Sequence, residues 1–154
     1  MGRIFMDALD DPFAAVDAQL TACPLGEVAD AVVVDVHAEA TSEKMAMGHF
    51  CDGRASLVVG THSHVPTADA QILPGGTAFQ CDAGACADYD SVIGMDKTEP
   101  LQRFTRKIPT QRFTPATGPA TVCGVFVQTG AGGLATRIEP VRVGGRLTQT
   151  VPEL

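Results

Sequence analysis

The chain has 154 residues, of which 45% are hydrophobic, and its 11 basic and 18 acidic residues give a formal net charge of −7. This length suits one domain with a hydrophobic core of useful size. The acidic balance argues against a surface built for broad nonspecific binding along a phosphate backbone. It does not exclude a phosphate ester at a metal site, because a bound cation dominates the field around it.

The cysteines and the apolar runs predict where the protein works. Five cysteines at irregular spacing indicate free or buried thiols in a reducing compartment, and therefore a cytoplasmic protein. We expect neither a secretory signal nor a membrane partner, because no apolar run approaches the length of a membrane span. Cys81 and Cys86 form the one close pair, but their spacing is not that of a zinc knuckle.

The first predicted element is an amphipathic helix. Asp10-Asp11-Pro12 is typical of a helix start, with an acidic cap followed by proline in the first turn. Phe13, Val16 and Leu20 follow at helical spacing and are predicted to face the core. Pro24-Leu25-Gly26 is predicted to end the helix.

Two β-branched runs with a helix between them predict a βαβ unit. Ala31 to Val36 is apolar except for Asp35, which favours a parallel strand covered on both faces, and Ser56 to Val59 is the second strand. Thr41 or Ser42 is predicted to cap the intervening helix. The residues of this helix that we expect to face inward are Met45, Ala46 and Phe50.

The remaining elements are predicted to be mainly antiparallel. Residues 71–73 and 77–79 flank a Gly-rich turn and predict a hairpin. Residues 99–107 predict a short helix, and residues 122–128 and 135–143 predict a terminal hairpin. The sequence contains no repeats and no linker, so we expect a single domain.

Three of the four histidines follow the two predicted parallel strands. His37 ends the first strand, and His62 and His64 come directly after the second. The carboxyl ends of neighbouring parallel strands meet at one edge of a sheet, where α/β proteins build their sites. Neutral imidazole is the commonest metal ligand, so the pattern favours a metal centre. The alternative is a set of loop histidines that are hydrogen-bonded to the backbone.

Four carboxylates fall near this predicted site, namely Asp35, Glu39, Asp69 and Asp82. Each is a candidate to orient a ligand histidine through a hydrogen bond. Each is also open to a second interpretation, as a solvated or capping carboxylate.

Two other chemistries fit the sequence poorly. Ser63 lies between two histidines, but no nucleophile elbow supports a serine hydrolase. His37-Ala38-Glu39 has the His-x-Glu spacing of zinc deaminases, which also need a Pro-Cys-x-x-Cys segment. Cys81 and Cys86 are separated by four residues, and no proline precedes them.

Four blocks of the sequence, in order and at family-like spacing, resemble the YmdB-like family of bacterial metallophosphoesterases. The blocks are Asp35 to Lys44, Gly60 to Asp69, Ile72 to Ala78 and Asp90 to Asp96. The resemblance implies an α/β fold, a four-layer αββα sandwich, that hydrolyses phosphodiesters such as cyclic nucleotides or RNA. It also implies two divalent metals, usually iron or manganese, with His37 and His62 on one metal and His64 on the other.

The family carries further metal ligands and its general acid in an N-terminal part that has no counterpart here. We therefore expect residues 1–154 to be the C-terminal portion of a single metallophosphoesterase domain, truncated at its N-terminus. The metal site would be incomplete, the catalytic residues unknown and the activity weak or lost. The alternatives are a non-enzymatic metal-binding or interaction module, including a homo-oligomer, and one half of a split enzyme whose N-terminal half is a separate chain.

Overall fold

The fold comes from a computed structural model that describes residues 1–5, 7, 10–108 and 111–153. Within these residues, three helices and seven strands follow one another along the chain. The elements are α1 (Pro12–Ala22), β1 (Val33–His37), α2 (Thr41–Cys51), β2 (Leu57–Thr61), β3 (Gln71–Ile72), β4 (Ala78–Gln80), β5 (Ala87–Asp88), α3 (Thr98–Arg106), β6 (Ala120–Thr129) and β7 (Ala135–Val143).

The first sheet has the strand order β1-β2-β4-β3 and contains the predicted βαβ unit. β1 pairs with β2 in parallel, β2 pairs with β4 in parallel, and β3 runs antiparallel to β4. His37 lies opposite Thr61 in the β1–β2 register. The histidine segments therefore leave the same edge of the sheet side by side, as the sequence predicts.

Helices cover one face of this sheet. Asp11 caps α1 by accepting a hydrogen bond from the Phe13 backbone N–H at 2.9 Å, which confirms the predicted helix start. Leu20 of α1 and Met47 of α2 are buried in one core cluster with Val58 and Phe79 of the sheet. Burial of apolar surface between these layers is the main force that holds the helices in place.

The second sheet covers the other face of the first. It has the order β5-β6-β7, and β6 and β7 form the long antiparallel hairpin predicted near the end of the chain. Leu57, Ala78 and Ala135 form a separate buried cluster between the two sheets. The described layers are thus helix, sheet and sheet, in the order expected of the sandwich.

The prediction that β1 is covered on both faces is wrong. β1 lies at the edge of its sheet and its burial alternates. Val36 is buried, but Val33 is 63% exposed, and Asp35 and His37 lie on the same exposed side. The apolar run reflects burial of only one side of the strand.

The predicted inward face of α2 is also wrong. Met45 and Phe50 are more than two fifths exposed, and the buried residues of the helix include Glu43, Lys44 and Met47. Two charged residues are buried because both find hydrogen-bonding partners inside the protein. Ala40, and neither Thr41 nor Ser42, occupies the N-cap position, without a side-chain hydrogen bond.

No helix among the described residues is long and apolar enough to cross a membrane.

Candidate metal centre

The loop after β2 brings two histidines to the edge of the first sheet in an unusual backbone conformation. His62 and His64 both have positive φ, at 111° and 65°, with Ser63 between them. Residues other than glycine rarely adopt such φ angles, because their Cβ atom crowds the backbone. Residues in such conformations persist only where the surrounding contacts hold them, and they cluster at functional sites.

Asp82 supplies those contacts. Its carboxylate accepts hydrogen bonds from the backbone N–H of Ser63 at 2.8 Å and of Gly84 at 2.9 Å. Burial by itself would raise the pKa of Asp82, but the N–H groups of Gly84 and Ser63, together with Lys44, lower it below the ordinary value. Asp82 therefore stays charged and ties the histidine loop to the strand end that follows β4.

Lys44 neutralises this buried carboxylate. Lys44 and Asp82 are each 1% exposed, and Nζ donates to Asp82 Oδ2 at 3.1 Å and to the Thr61 carbonyl at 2.9 Å. A buried ion pair is retained only when both charges are matched by further hydrogen bonds, as they are here. The pair links α2, the end of β2 and the segment after β4 at the floor of the site.

On the β1 side, a chain of hydrogen bonds sets the tautomer of His37. The Thr61 hydroxyl donates to Asp35 Oδ1 at 3.1 Å, so its single proton is used there. His37 Nδ1 lies 3.0 Å from the same hydroxyl oxygen and must be the donor in that contact. His37 Nε2 is therefore the nitrogen that keeps a free lone pair.

His62 is oriented by Glu39. His62 Nε2 lies 2.6 Å from Glu39 Oε2, so the neutral ring donates from Nε2 and keeps its lone pair on Nδ1. That Nδ1 lies 3.1 Å from His37 Nε2. Two lone pairs thus face each other at hydrogen-bonding distance, an arrangement that requires a proton or a metal cation between the rings.

The spacing of this nitrogen pair fits two ligands of one metal ion. Nitrogens bound to one metal at about 2.1 Å, with angles between square and tetrahedral, lie about 3.0–3.4 Å apart. The second nitrogen of each ring is held by an oxygen, which is the usual outer support of a ligand histidine. An open pocket of about 210 Å³, which we call the histidine pocket, borders the pair and is also lined by His64 and Ala85.

The structure brings only part of the predicted set together. Glu39 contacts His62 directly, Asp35 acts on His37 through Thr61, and Asp82 bonds the loop backbone without contacting a ring. Asp69 accepts from the Cys81 backbone N–H at 3.2 Å and so supports the fold. Within the described ranges, no group of three or more His, Cys, Asp or Glu side chains converges to hold a metal ion. The three histidines as metal ligands therefore stay a prediction.

Sequence reasoning missed Thr61 and Lys44 as parts of the site. Thr61 lies opposite His37 in the parallel register of β1 and β2. A hydroxyl at this strand end was therefore the sequence signal that could have identified Thr61 as a partner of His37. Lys44 gave no such signal, because a lysine in a helix is ordinarily solvated.

Comparison with known proteins gives consistent matches. The chain matches the family described as YmdB-like protein over residues 1–141. It is 47% identical over 126 residues, 82% of this chain and 47% of the relative, to a Bacillus subtilis protein named 2′,3′-cyclic-nucleotide 2′-phosphodiesterase. A crystal structure of a hypothetical protein from Thermus thermophilus superposes with a TM-score of 0.85 at 48% identity, covering 95% of this chain and 56% of that one. A novel phosphatase from Mycoplasma pneumoniae superposes with a TM-score of 0.77 at 31% identity, covering 87% and 47%.

These matches first define the class of protein, which is that of hydrolases with an α/β fold of metallophosphoesterase type. The matched members of this class are named as a phosphodiesterase and a phosphatase. The chain belongs to the YmdB-like family. The resemblance, the fold class and the hydrolase family expected from the sequence are confirmed. The chain spans about half the length of the relatives that it matches.

Proposed function

We propose that this chain supplies the histidine side of a metal-dependent phosphodiesterase centre. The observation that carries the proposal is the pair of facing imidazole lone pairs, His37 Nε2 and His62 Nδ1, 3.1 Å apart. A shared metal removes the repulsion between them, and both rings are already oriented for it. In the two-metal centre that we propose, iron or manganese is the favoured occupant and His64 serves the second ion.

A pair of bound cations would polarise the phosphoryl group and lower the pKa of a water molecule for in-line attack. The chain's own residues have supporting roles. Asp35 and Thr61 hold His37 in the ligand tautomer, and Glu39 does the same for His62. Asp82 and Lys44 fix the backbone between His62 and His64.

We also propose that the described residues do not supply all the ligands of the metal site. Two converging nitrogens do not complete the shell of one metal, which has four or more ligands in proteins. We infer that oxygen ligands and the general acid come from outside the described residues, and that this chain alone turns over phosphodiesters slowly or not at all. The named activity of the Bacillus subtilis relative favours a cyclic nucleotide or an RNA-like phosphodiester as substrate.

The first test is metal affinity, because it does not depend on turnover. Mn²⁺ or Fe²⁺ is titrated into the purified chain and into the His37→Ala and His62→Ala variants. Each substitution removes a ligand, so affinity should fall by more than the about 10–100-fold that loss of an outer partner costs. His49→Ala is the matched control, since His49 lies exposed in the last turn of α2. Equal affinities in all four proteins would refute the proposal.

Hydrolysis of 2′,3′-cyclic AMP with added Mn²⁺ tests the incomplete site. We expect little activity from the chain alone and a gain when it is co-expressed with the segment of the Bacillus subtilis relative that it does not match. Two bound metals with full activity in the chain alone, lost in His64→Ala, would contradict the incompleteness. No gain on co-expression would reject the split-enzyme alternative.

A second candidate function is a non-enzymatic interaction module. The exposed side of the edge strand β1 supports it, because Val33 is 63% exposed there. Self-association into a homo-oligomer, measured by the mass of the purified chain in solution, would favour this function, and a monomer that binds no apolar dye would count against it.

We also propose that the protein works in the cytoplasm. The five cysteines are all free thiols in the structure, which supports a reducing compartment. Localisation of the tagged full chain by cell fractionation tests this.

A further inference from the structure

A second hollow adjoins the histidine pocket. It has a volume of about 230 Å³, is more enclosed than the histidine pocket, and is lined by His64, Val65, Tyr89, Ile93 and Gly94, among others. We call it the side pocket. His64 and Ala85 line both hollows, so the side pocket opens directly beside the proposed metal centre.

Tyr89 forms a rigid wall of the side pocket. Its hydroxyl lies 2.9 Å from the Ala85 carbonyl, 3.2 Å from the His64 carbonyl and 3.3 Å from Cys123 Sγ. These three contacts of the hydroxyl hold the ring in place, which suits a flat surface for stacking.

Ile93 lies in the lining of the side pocket in a conformation that isoleucine rarely adopts. Its φ is 49°, that of Gly94 is 89°, and Val92 and Met95 exchange two backbone hydrogen bonds at 3.0 Å. This is a tight two-residue turn of the kind that ordinarily takes Asn-Gly. The Ile93 side chain is nevertheless 59% exposed, so the strain is not offset by burial within the chain. Strained residues cluster at active sites and ligand clamps, which makes Ile93 a candidate ligand contact.

The charge of the lining selects the kind of occupant. Among the described lining residues there is no lysine or arginine, and Asp88 contributes a negative charge. An anionic group such as a second phosphate is therefore disfavoured. Val65 and Ile93 offer apolar contact and Tyr89 an aromatic one, which together favour a neutral, flat organic group.

We propose that the side pocket binds the nucleobase of the phosphodiester substrate and that Ile93 packs against it. This inference rests on the proposed function, since it takes the histidine pocket as the place of the phosphoryl group. The side pocket would then hold the part of the substrate that does not react, and contacts of this kind position the reacting bond.

The experiment uses adenosine as the probe, with ribose for comparison and with a chelator present. Tyr89 is the single tyrosine and the chain has no tryptophan, so tyrosine ring signals in NMR come from Tyr89, which borders both the side pocket and a neighbouring hollow lined by Arg142 and Leu147. Ile93 lines the side pocket and not that neighbouring hollow, so the Ile93 variant below assigns the binding to one of the two. We expect adenosine, and not ribose, to shift these signals saturably. Because no metal is present, the result is independent of the metal titration, and the two proposals can fail separately.

The deciding variant is Ile93→Asn, with Lys107→Asn as its matched control. Lys107 also has a positive φ, 59°, but caps α3 away from the pocket lining. Both substitutions place asparagine where it tolerates the left-handed conformation, so both should raise the unfolding midpoint by about 2–4 °C. Adenosine affinity should fall at least fivefold in Ile93→Asn and stay unchanged in Lys107→Asn. Equal affinity in both variants, or binding of adenosine no tighter than that of ribose, would overturn the proposal.

Discussion

The two strand ends that carry the histidines are built differently. At the end of β2, the loop from His62 to His64 is tied down by Asp82, which is itself neutralised by Lys44, with both of these charged groups 1% exposed. At the end of β1, Asp35, His37 and Glu39 all lie on exposed surface, linked by hydrogen bonds between side chains. The first end is preorganised by burial and the second only by a solvent-exposed network.

This difference concerns how firmly each half of the candidate site is held. A buried, neutralised pair holds its geometry because leaving either charge alone is costly. Exposed hydrogen bonds compete with water and contribute less. The β1 end should therefore move more readily than the β2 end.

The largest expected effect is loss of the buried pair. Asp82→Asn leaves Lys44 buried without a counter-charge and should cost about 3–5 kcal/mol of unfolding free energy. Urea unfolding measures it. The matched control is Asp90→Asn, which breaks exposed pairs with Lys97 and Arg146 and should leave stability unchanged within error. Equal losses in the two variants would remove the contrast between buried and exposed anchoring.

The second effect is on metal affinity at the β1 end. Thr61→Val keeps the shape of the side chain but removes the hydroxyl that holds His37 in its tautomer, so Mn²⁺ affinity should fall about 10–100-fold. Thr61→Ser keeps the hydroxyl and should restore most of the affinity. If Thr61→Val binds Mn²⁺ with the affinity of the parent chain, the His37 ring does not need the Thr61 hydroxyl for its orientation.

A smaller effect is expected at Glu43, which supports the β1 end from behind. Its carboxylate accepts from the backbone N–H of Arg3 at 2.9 Å and of Ile4 at 3.2 Å, and the Gly2 N–H donates to the His37 carbonyl at 2.9 Å. Glu43→Gln weakens these charge-assisted hydrogen bonds and should lower the free energy of opening the segment from Gly2 to Ile4 by about 1–2 kcal/mol. Faster hydrogen exchange at Gly2 to Ile4, with the rest of the chain unchanged, is the measurement. Exchange that is unchanged there would contradict this role.

The smallest effect is a pH dependence specific to the β2 end. The pKa of Asp82 is lowered in the folded state, so its stabilising contribution is present above the ordinary carboxyl value and is lost as pH falls through the lowered value. Unfolding free energy of the parent should drop between about pH 5 and pH 2, and Asp82→Asn should lack that part of the drop. Parallel curves for the two proteins would assign the acid sensitivity to other carboxylates.

The sequence predicted the elements well where a pattern is local. The cap at Asp11, the parallel pairing of the two β-branched runs and the long hairpin of β6 and β7 were all correct. The inward face of α2 was predicted wrongly, because apolar spacing placed Met45 and Phe50 inside whereas partners elsewhere in the chain allowed Glu43 and Lys44 to be buried. Apolar content likewise suggested two covered faces for β1, and its position at the sheet edge exposes one.

By itself the sequence determined the family, the strand-end position of the three histidines and the βαβ order that brings them together, because these depend on local spacing and on residue type. Only the tertiary structure decided which nitrogens face each other, that Thr61 sets the tautomer of His37, that Asp82 and Lys44 form a buried pair, and that a second pocket opens beside His64. These features join residues up to 38 positions apart, and their geometry exists only once the strands are in register.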